Sequence, residues 1–160
     1  MATPFETAYT SLLAELVESV DLAELVAPAN IVRHDTDVRP DMQDRGDGDL
    51  PALDVVPGDM EFTDHATSDT AEAIMHLQLR LYTAQELLAD PKGLWALTWA
   101  VSRCLYKAGF AASTTYIIDY DWQGFTNVAP SDSDKAEGFG WQAVGNLDLR
   151  LEIARTELSA

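Results

Sequence analysis

From Ala71 to Tyr82 apolar and polar residues alternate almost without a break. Ala71, Ala73, Met75, Leu77, Leu79 and Leu81 fall on one side, and Glu72, Ile74, His76, Gln78, Arg80 and Tyr82 on the other. A period of two predicts a strand with one face on a core and one face largely wet. At about 3.4 Å per residue it would span roughly 40 Å, longer than most strands of a small domain. The closing segment repeats the pattern: Ala143, Gly145, Leu147, Leu149, Leu151 and Ile153 alternate with Val144, Asn146, Asp148, Arg150, Glu152 and Ala154. Two such strands suit antiparallel neighbours sharing one apolar face. A third alternation, Ser113 to Trp122, sets Tyr116, Ile118, Tyr120 and Trp122 against Thr115, Ile117, Asp119 and Asp121, with Gly124 as a bend and Pro130 as an end. Leu50 to Pro57, bracketed by prolines, predicts a short edge or terminated strand. Asn30 to Arg33 suggests another short strand, and Gly58 to Thr67 a connection.

Two helices follow from a different period. Thr3-Pro4-Phe5-Glu6 spells a cap, a proline for the first turn and the glutamate of a capping box. Phe5, Tyr9, Leu12, Leu13, Leu16, Val17 and Val20 then form one apolar stripe. Asp21 is placed to cap a short second turn through Leu25, ended by Pro28. After a turn at Thr83 to Ala89, with one helical turn through Glu86-Leu87-Leu88, Asp90 and Pro91 suit the start of the central helix. Its stripe is Leu94, Leu97, Val101, Cys104, Leu105 and Ala108, with Gly109 as its stop. The fold class expected is α+β: a mostly antiparallel sheet of about four to five strands, the N-terminal helix and the long central helix packed on one face.

A chain of 160 residues fits one domain, residues 1–160, and can bury about 70% of its unfolded surface. Its apolar runs fall short of the ~20 residues that cross a bilayer, so no membrane association is expected. The amino terminus, with Pro4, Glu6 and no basic cluster, is not expected to act as a secretory signal. A single cysteine, Cys104, rules out an internal disulfide and fits a reducing compartment. The strongest compositional fact is charge: 27 acidic against 10 basic residues, a net −17. Phosphate-backbone binding relies on Lys and Arg, so specific nucleic-acid binding is not expected. Such charge keeps a protein soluble, and near DNA it would repel the duplex and let it slide past. Six of the 27 acidic residues lie in the exposed loop His34 to Asp49: Asp35, Asp37, Asp41, Asp44, Asp47 and Asp49. A loop of this length suits an interaction arm that orders on a neighbouring subunit, or a mobile segment. Ser131 to Gly140 is a second polar loop.

No motif carries a chemistry. Asp44, Arg45, Gln43 and Gly46 break the spacing an EF-hand loop needs, and His34, His65 and His76 lack a ligand partner at zinc spacing. His76, on the polar strand face, reads as solvated, and Cys104, in the helical stripe, as a small buried hydrophobe. There is no nucleophile elbow, no Walker lysine, and Gly138-Phe139-Gly140 lacks the rest of a dinucleotide fingerprint. Asp119 and Asp121 share a hydrated strand face, the commonest place for idle carboxylates, and Arg45-Gly46-Asp47 is a chance tripeptide in an Asp/Gly-rich loop. Trp95, Trp99, Trp122 and Trp141 suit core and interface anchors, since no basic residues interleave with them for base stacking. No catalytic, cofactor-binding or metal residue is therefore assigned, and no cofactor is expected.

The order of elements does resemble one family. Leu50 to Pro57 before a strand of the form Glu72 to Tyr82, then the helix Pro91 to Ala108 and the closing strand Trp141 to Arg155, is similar to the tail terminator (tail-completion) proteins of long-tailed bacteriophages and the neck proteins close to them. The likeness covers nearly the whole chain, in pattern and not in a diagnostic motif, and carries over no site residue. It implies a structural virion protein and not an enzyme, assembled in the bacterial host cytoplasm. Such proteins form homo-oligomeric rings, typically hexameric, that end tail-tube polymerisation and join the tube to the head-tail connector or stopper. DNA passes through without specific binding. Another ring-forming neck, head-completion or tube protein is the neighbouring reading. An acidic inhibitor or adaptor that mimics nucleic acid is the reading from a different class.

Overall fold

The computed structural model describes residues 2–34, 50–63, 69–131 and 140–158. The acidic loop beyond His34, His65, the Arg45-Gly46-Asp47 tripeptide and most of the second polar loop lie outside the described residues. The architecture is α+β, with a five-stranded, mostly antiparallel sheet carrying its two long helices on one face. Strands β1 (Ile31–Arg33), β2 (Ala52–Phe62), β3 (Thr70–Thr83), β4 (Ile117–Ser131) and β5 (Gly140–Ala154) lie in the order β1-β2-β3-β5-β4. Among the described strands only the β1–β2 pair is parallel. Among the described residues no helix is long and apolar enough to cross a membrane.

The two long alternating segments are the sheet's spine. β3 and β5 pair without interruption from Thr70 opposite Ala154 to Thr83 opposite Trp141. The register sets small residues against large ones on the dry face: Ala73 opposite Leu151, Leu79 opposite Gly145, Leu81 opposite Ala143. A slip of one residue would turn both apolar rows to water, so the pattern itself fixes the pairing. At Gly145 the space is already taken, because a Cβ there would lie 2.3 Å from the Trp122 ring. Gly145→Ala is expected to displace that ring, break the 3.1 Å bond from Trp122 Nε1 to Ser102 Oγ, and cost about 1–3 kcal/mol, measured by denaturant unfolding.

The apolar face is covered by α1 (Pro4–Glu18) and α3 (Leu94–Lys107). α1 has the expected capping box: the Thr3 hydroxyl accepts from Glu6 N, and the Glu6 carboxylate accepts from Thr3 N. Its buried side chains are Ala8, Tyr9, Leu12, Leu13 and Leu16, but Val17 and Val20 are exposed. The chain leaves the helix after Glu18, and Ser19, not Asp21, caps the short α2 (Val20–Ala23) by accepting from Leu22 N. Asp21 instead reaches across to α3, 3.0 Å from Lys107 Nζ, and that lysine holds its carboxyl below the ordinary range.

Several boundaries differ from the sequence expectation, each for a local reason. α3 starts at Leu94, three residues after Pro91. Asp90 and Pro91 form a turn in which the Asp90 carboxylate accepts from Lys92 N and its carbonyl from Gly93 N. Gly93 passes so close to the Leu87 and Leu88 carbonyls that a Cβ would lie within 2.5 and 2.8 Å of them. The Leu88 carbonyl accepts from Trp95 N at the start of α3, and Glu86–Leu88 is itself not helical. β2 does not stop at Pro57. It runs through a register shift between Pro57 and Met60 and on to Phe62, into the expected connection. The third alternation starts later and runs further. Ala112–Thr115 is a helical turn, α4, and Tyr116 takes a left-handed conformation before β4 begins. A bulge between Ile117 and Asp119 then puts Ile117 in the core beside Tyr120 and leaves Ile118 exposed. Gly124, the expected bend, and Asn127, both at positive φ, mark two further register shifts, and the strand ends at Ser131, one residue past the expected end at Pro130.

Candidate assembly surfaces

The sheet has a dry face, a wet face and two outer edges, and what each presents follows from the alternation. On the helical side, α3 buries Leu94, Leu97, Ala100, Val101, Cys104 and Leu105. The residues a turn apart on its outer flank are aromatic: Trp95 is 60% exposed and Trp99 66%, with Tyr106 exposed further along. Tryptophan exposed in pairs is unusual for a free surface and common at interfaces. Between this flank and the outermost strand β4 lies an open depression of about 320 Å³, lined by Trp95, Thr98, Trp99, Ser102, Phe125 and Val128. Trp122 and Trp141, by contrast, are half-buried and hydrogen-bonded, Trp122 to Ser102 and Trp141 to the Glu86 carbonyl. The expectation of four core or interface anchors thus divides: two tie strand to helix or turn, and two face outward. Near the far edge a second, smaller apolar patch stands out, Met60 and Phe62 at the end of β2, with Phe62 edge-on to Phe5 at 6.2 Å.

Among the described residues the two long helices lie on the dry face, and the wet face is strongly acidic. Glu61, Glu72, Asp119, Asp121, Asp148 and Glu152 lie on it, with Arg80, Arg150 and His76 among them. Arg150 is shared between Glu72 at 3.7 Å and Asp119 at 3.8 Å, exposed pairs that stabilise little. The register also sets Asp121 directly opposite Asp148, an unfavourable like-charge pair. His76 is what offsets it. Its Nδ1 lies 2.6 Å from Asp148 Oδ1 and its Nε2 3.4 Å from Glu61, while Gln123 donates to the other Asp148 oxygen at 3.0 Å. One polar network therefore crosses β2, β3, β5 and β4, at a depression of about 540 Å³ opened by the β2 bulge. His76 is not the simply solvated residue its strand position predicts.

This arrangement has a pH signature. The bond to Asp148 raises the His76 pKa above 6.5, the partial burial opposes the rise, and Glu61 adds to it. A raised folded-state pKa stabilises fully below the unfolded value and fades as pH climbs through the folded one. The thermal midpoint should therefore fall as pH rises from 6.5, and His76→Gln should remove that slope while leaving the midpoint below pH 6 lower than in the parent. An identical slope in the variant would show that the network does not carry it.

On the same side of β2, Asp54 is fully buried, with Oδ2 3.3 Å from Nε2 of His34, whose side chain is also buried. A carboxylate taken wholly out of water needs such company. Nearby, the Tyr9 hydroxyl donates to the Val55 carbonyl and accepts from His34 N at 3.0 Å, locking α1, β1 and β2 together. Cys104 is buried, its thiol 3.5 Å from the Glu15 carbonyl and its pKa pushed up by burial, the reverse of an activated nucleophile. Asp119 and Asp121 share the wet face as expected, Asp119 beside Arg150 and Asp121 beside Gln123. Among the described residues no cluster of three His, Cys, Asp or Glu side chains has metal-holding geometry.

No known protein family matches this chain, and no curated protein does. The functional reading therefore rests on the surfaces themselves. Of these, the outward Trp95 and Trp99 had a signal in the sequence: they fall four apart and off the stripe that begins Leu94, Leu97, Val101. The His76–Asp148 contact had none, because it joins residues 72 apart and depends on the register of two strands.

Proposed function

We propose that the chain is a structural virion protein that forms a ring at the head-proximal end of a phage tail tube, ends tube polymerisation and joins the tail to the head connector. The observation that carries this is the acidic face of a sheet whose other face is closed by helices. An enzyme would need a converging site, whereas a conduit for DNA needs a wide surface that repels phosphate. In a ring, the same face of every copy would line the lumen, and the genome would pass it without being held. Tail-tube protein polymerised with the chain present should give short tubes capped at one end; tubes of unchanged length with no cap would overturn the proposal. Charge reversal supplies a second check: Asp121→Lys with Glu152→Lys should slow DNA ejection several-fold, and unchanged kinetics would sink the lumen assignment.

The same acidic face favours one other reading, a mimic of nucleic acid that occupies a basic protein. That reading requires a tight complex which weakens steeply with salt and involves no ring. The tube assay separates the two.

A further inference from the structure

The two apolar patches described above are not equivalent surfaces. One is the groove between α3 and β4, with Trp95, Trp99, Phe125 and Val128. The other is the knob of Met60, 52% exposed, and Phe62, 55% exposed, at the end of β2. They lie toward opposite edges of one sheet. β4 has no strand on its outer side among the described residues, and β1 covers β2 only at Leu53 to Val55. We infer that the occupant of the groove is the Met60–Phe62 knob of a second copy of this chain, so that copies join head to tail.

Three observations select this occupant. A knob and a groove on different parts of one molecule make a heterologous contact, the kind that closes into a ring when the rotation permits. Both patches also lie on the helical side of the sheet: Met60 and Phe62 stand opposite the buried Met75 and Ala73, and the groove abuts α3. A neighbour can therefore be brought up by rotation without being turned over, and every copy keeps its acidic face on the same side. Strand direction agrees as well. Since β2, β3, β5 and β4 alternate, β4 runs against β2, and a neighbour's β2 beside β4 continues the antiparallel order. The bulges of β4 and Pro57 in β2 keep any ladder short, leaving the side chains to carry the seam.

The inference rests on the ring reading and specifies its contact, so the test separates the two. In a full-length Cys104→Ala background, Met60→Cys and Val128→Cys are made singly and together, and treated with a flexible bis-maleimide after the mass of each untreated sample is measured. Both positions are exposed, and folding is checked by thermal unfolding. Mixing the two single variants should give cross-linked dimers, each alone should give almost none, and the double variant should give a ladder ending at the closed assembly. Efficient cross-linking of Val128→Cys alone or Met60→Cys alone would show like edges meeting about a two-fold axis and overturn the contact. An oligomeric mass with no cross-link in the mixture would also overturn it while leaving the ring in place. A monomeric mass in every sample would remove both.

Discussion

Leu149→Ala is expected to lower the free energy of unfolding by about 2–5 kcal/mol, the cost of a large cavity at a site that cannot collapse. Leu149 is fully buried on β5, the strand between β3 and β4, and its register mates are Met75 on one side and Tyr120 on the other. The helices close the face above it. Tyr120 cannot readily swing inward to fill the gap, because its hydroxyl donates to the Leu105 carbonyl, 2.6 Å away at the end of α3. Urea unfolding should show a lower midpoint with an unchanged slope. Leu149→Met, which conserves volume, should cost less than about 1.5 kcal/mol, and the exposed Val128→Ala only a few tenths. A loss below about 1 kcal/mol for Leu149→Ala would mean that this strand is not the centre of the core.

Trp95→Glu with Trp99→Glu should abolish self-association while leaving the subunit folded. Both rings are mostly exposed in the single chain, so their replacement removes little of the subunit's own packing. At an interface the same rings become anchors, and losing one such anchor typically costs 2 kcal/mol or more, roughly a 30-fold weaker contact. The two carboxylates add charge to a subunit that already carries −17. Sedimentation should give a monomer with a thermal midpoint like the parent's. An oligomer of unchanged mass and stability would place the seam elsewhere.

How far these surfaces could be read from the sequence depended on the range of the interactions that make them. β3 and β5 were legible because their alternation is local and nearly perfect, and α1 because Thr3, Pro4 and Glu6 signal its start within four residues. α3 was legible in its stripe but not at its start, where Gly93 is crowded by carbonyls six and five residues earlier in the chain. In β4 a bulge changes the phase of alternation: Ile117 and Ile118 exchange places, which no period-two count can foresee. β2 was cut short at Pro57 for the opposite reason. Proline ends most strands, but here its missing N–H falls on a strand that β1 covers only as far as Val55.

The wet face shows the same division. Its acidity was plain in the composition, and Asp119 and Asp121 were correctly placed together on it. Its organisation was not, since His76, Glu61, Asp148 and Gln123 come from four strands and meet only once the register of the whole sheet is set. The buried pair His34 and Asp54 is equally hidden, since His34 opens a polar stretch, Asp54 stands alone in an apolar one, and the two meet only in the fold.

A chain that works as a closed ring has a fixed native mass. The most direct measurement is its native mass over a wide range of concentration, with and without preformed tail tubes. A closed ring gives one discrete assembly of about six chains, formed alone or on tube ends, that grows no larger as concentration rises. A monomer at every concentration that also ignores the tubes, or an open-ended series of masses with no preferred size, would contradict it.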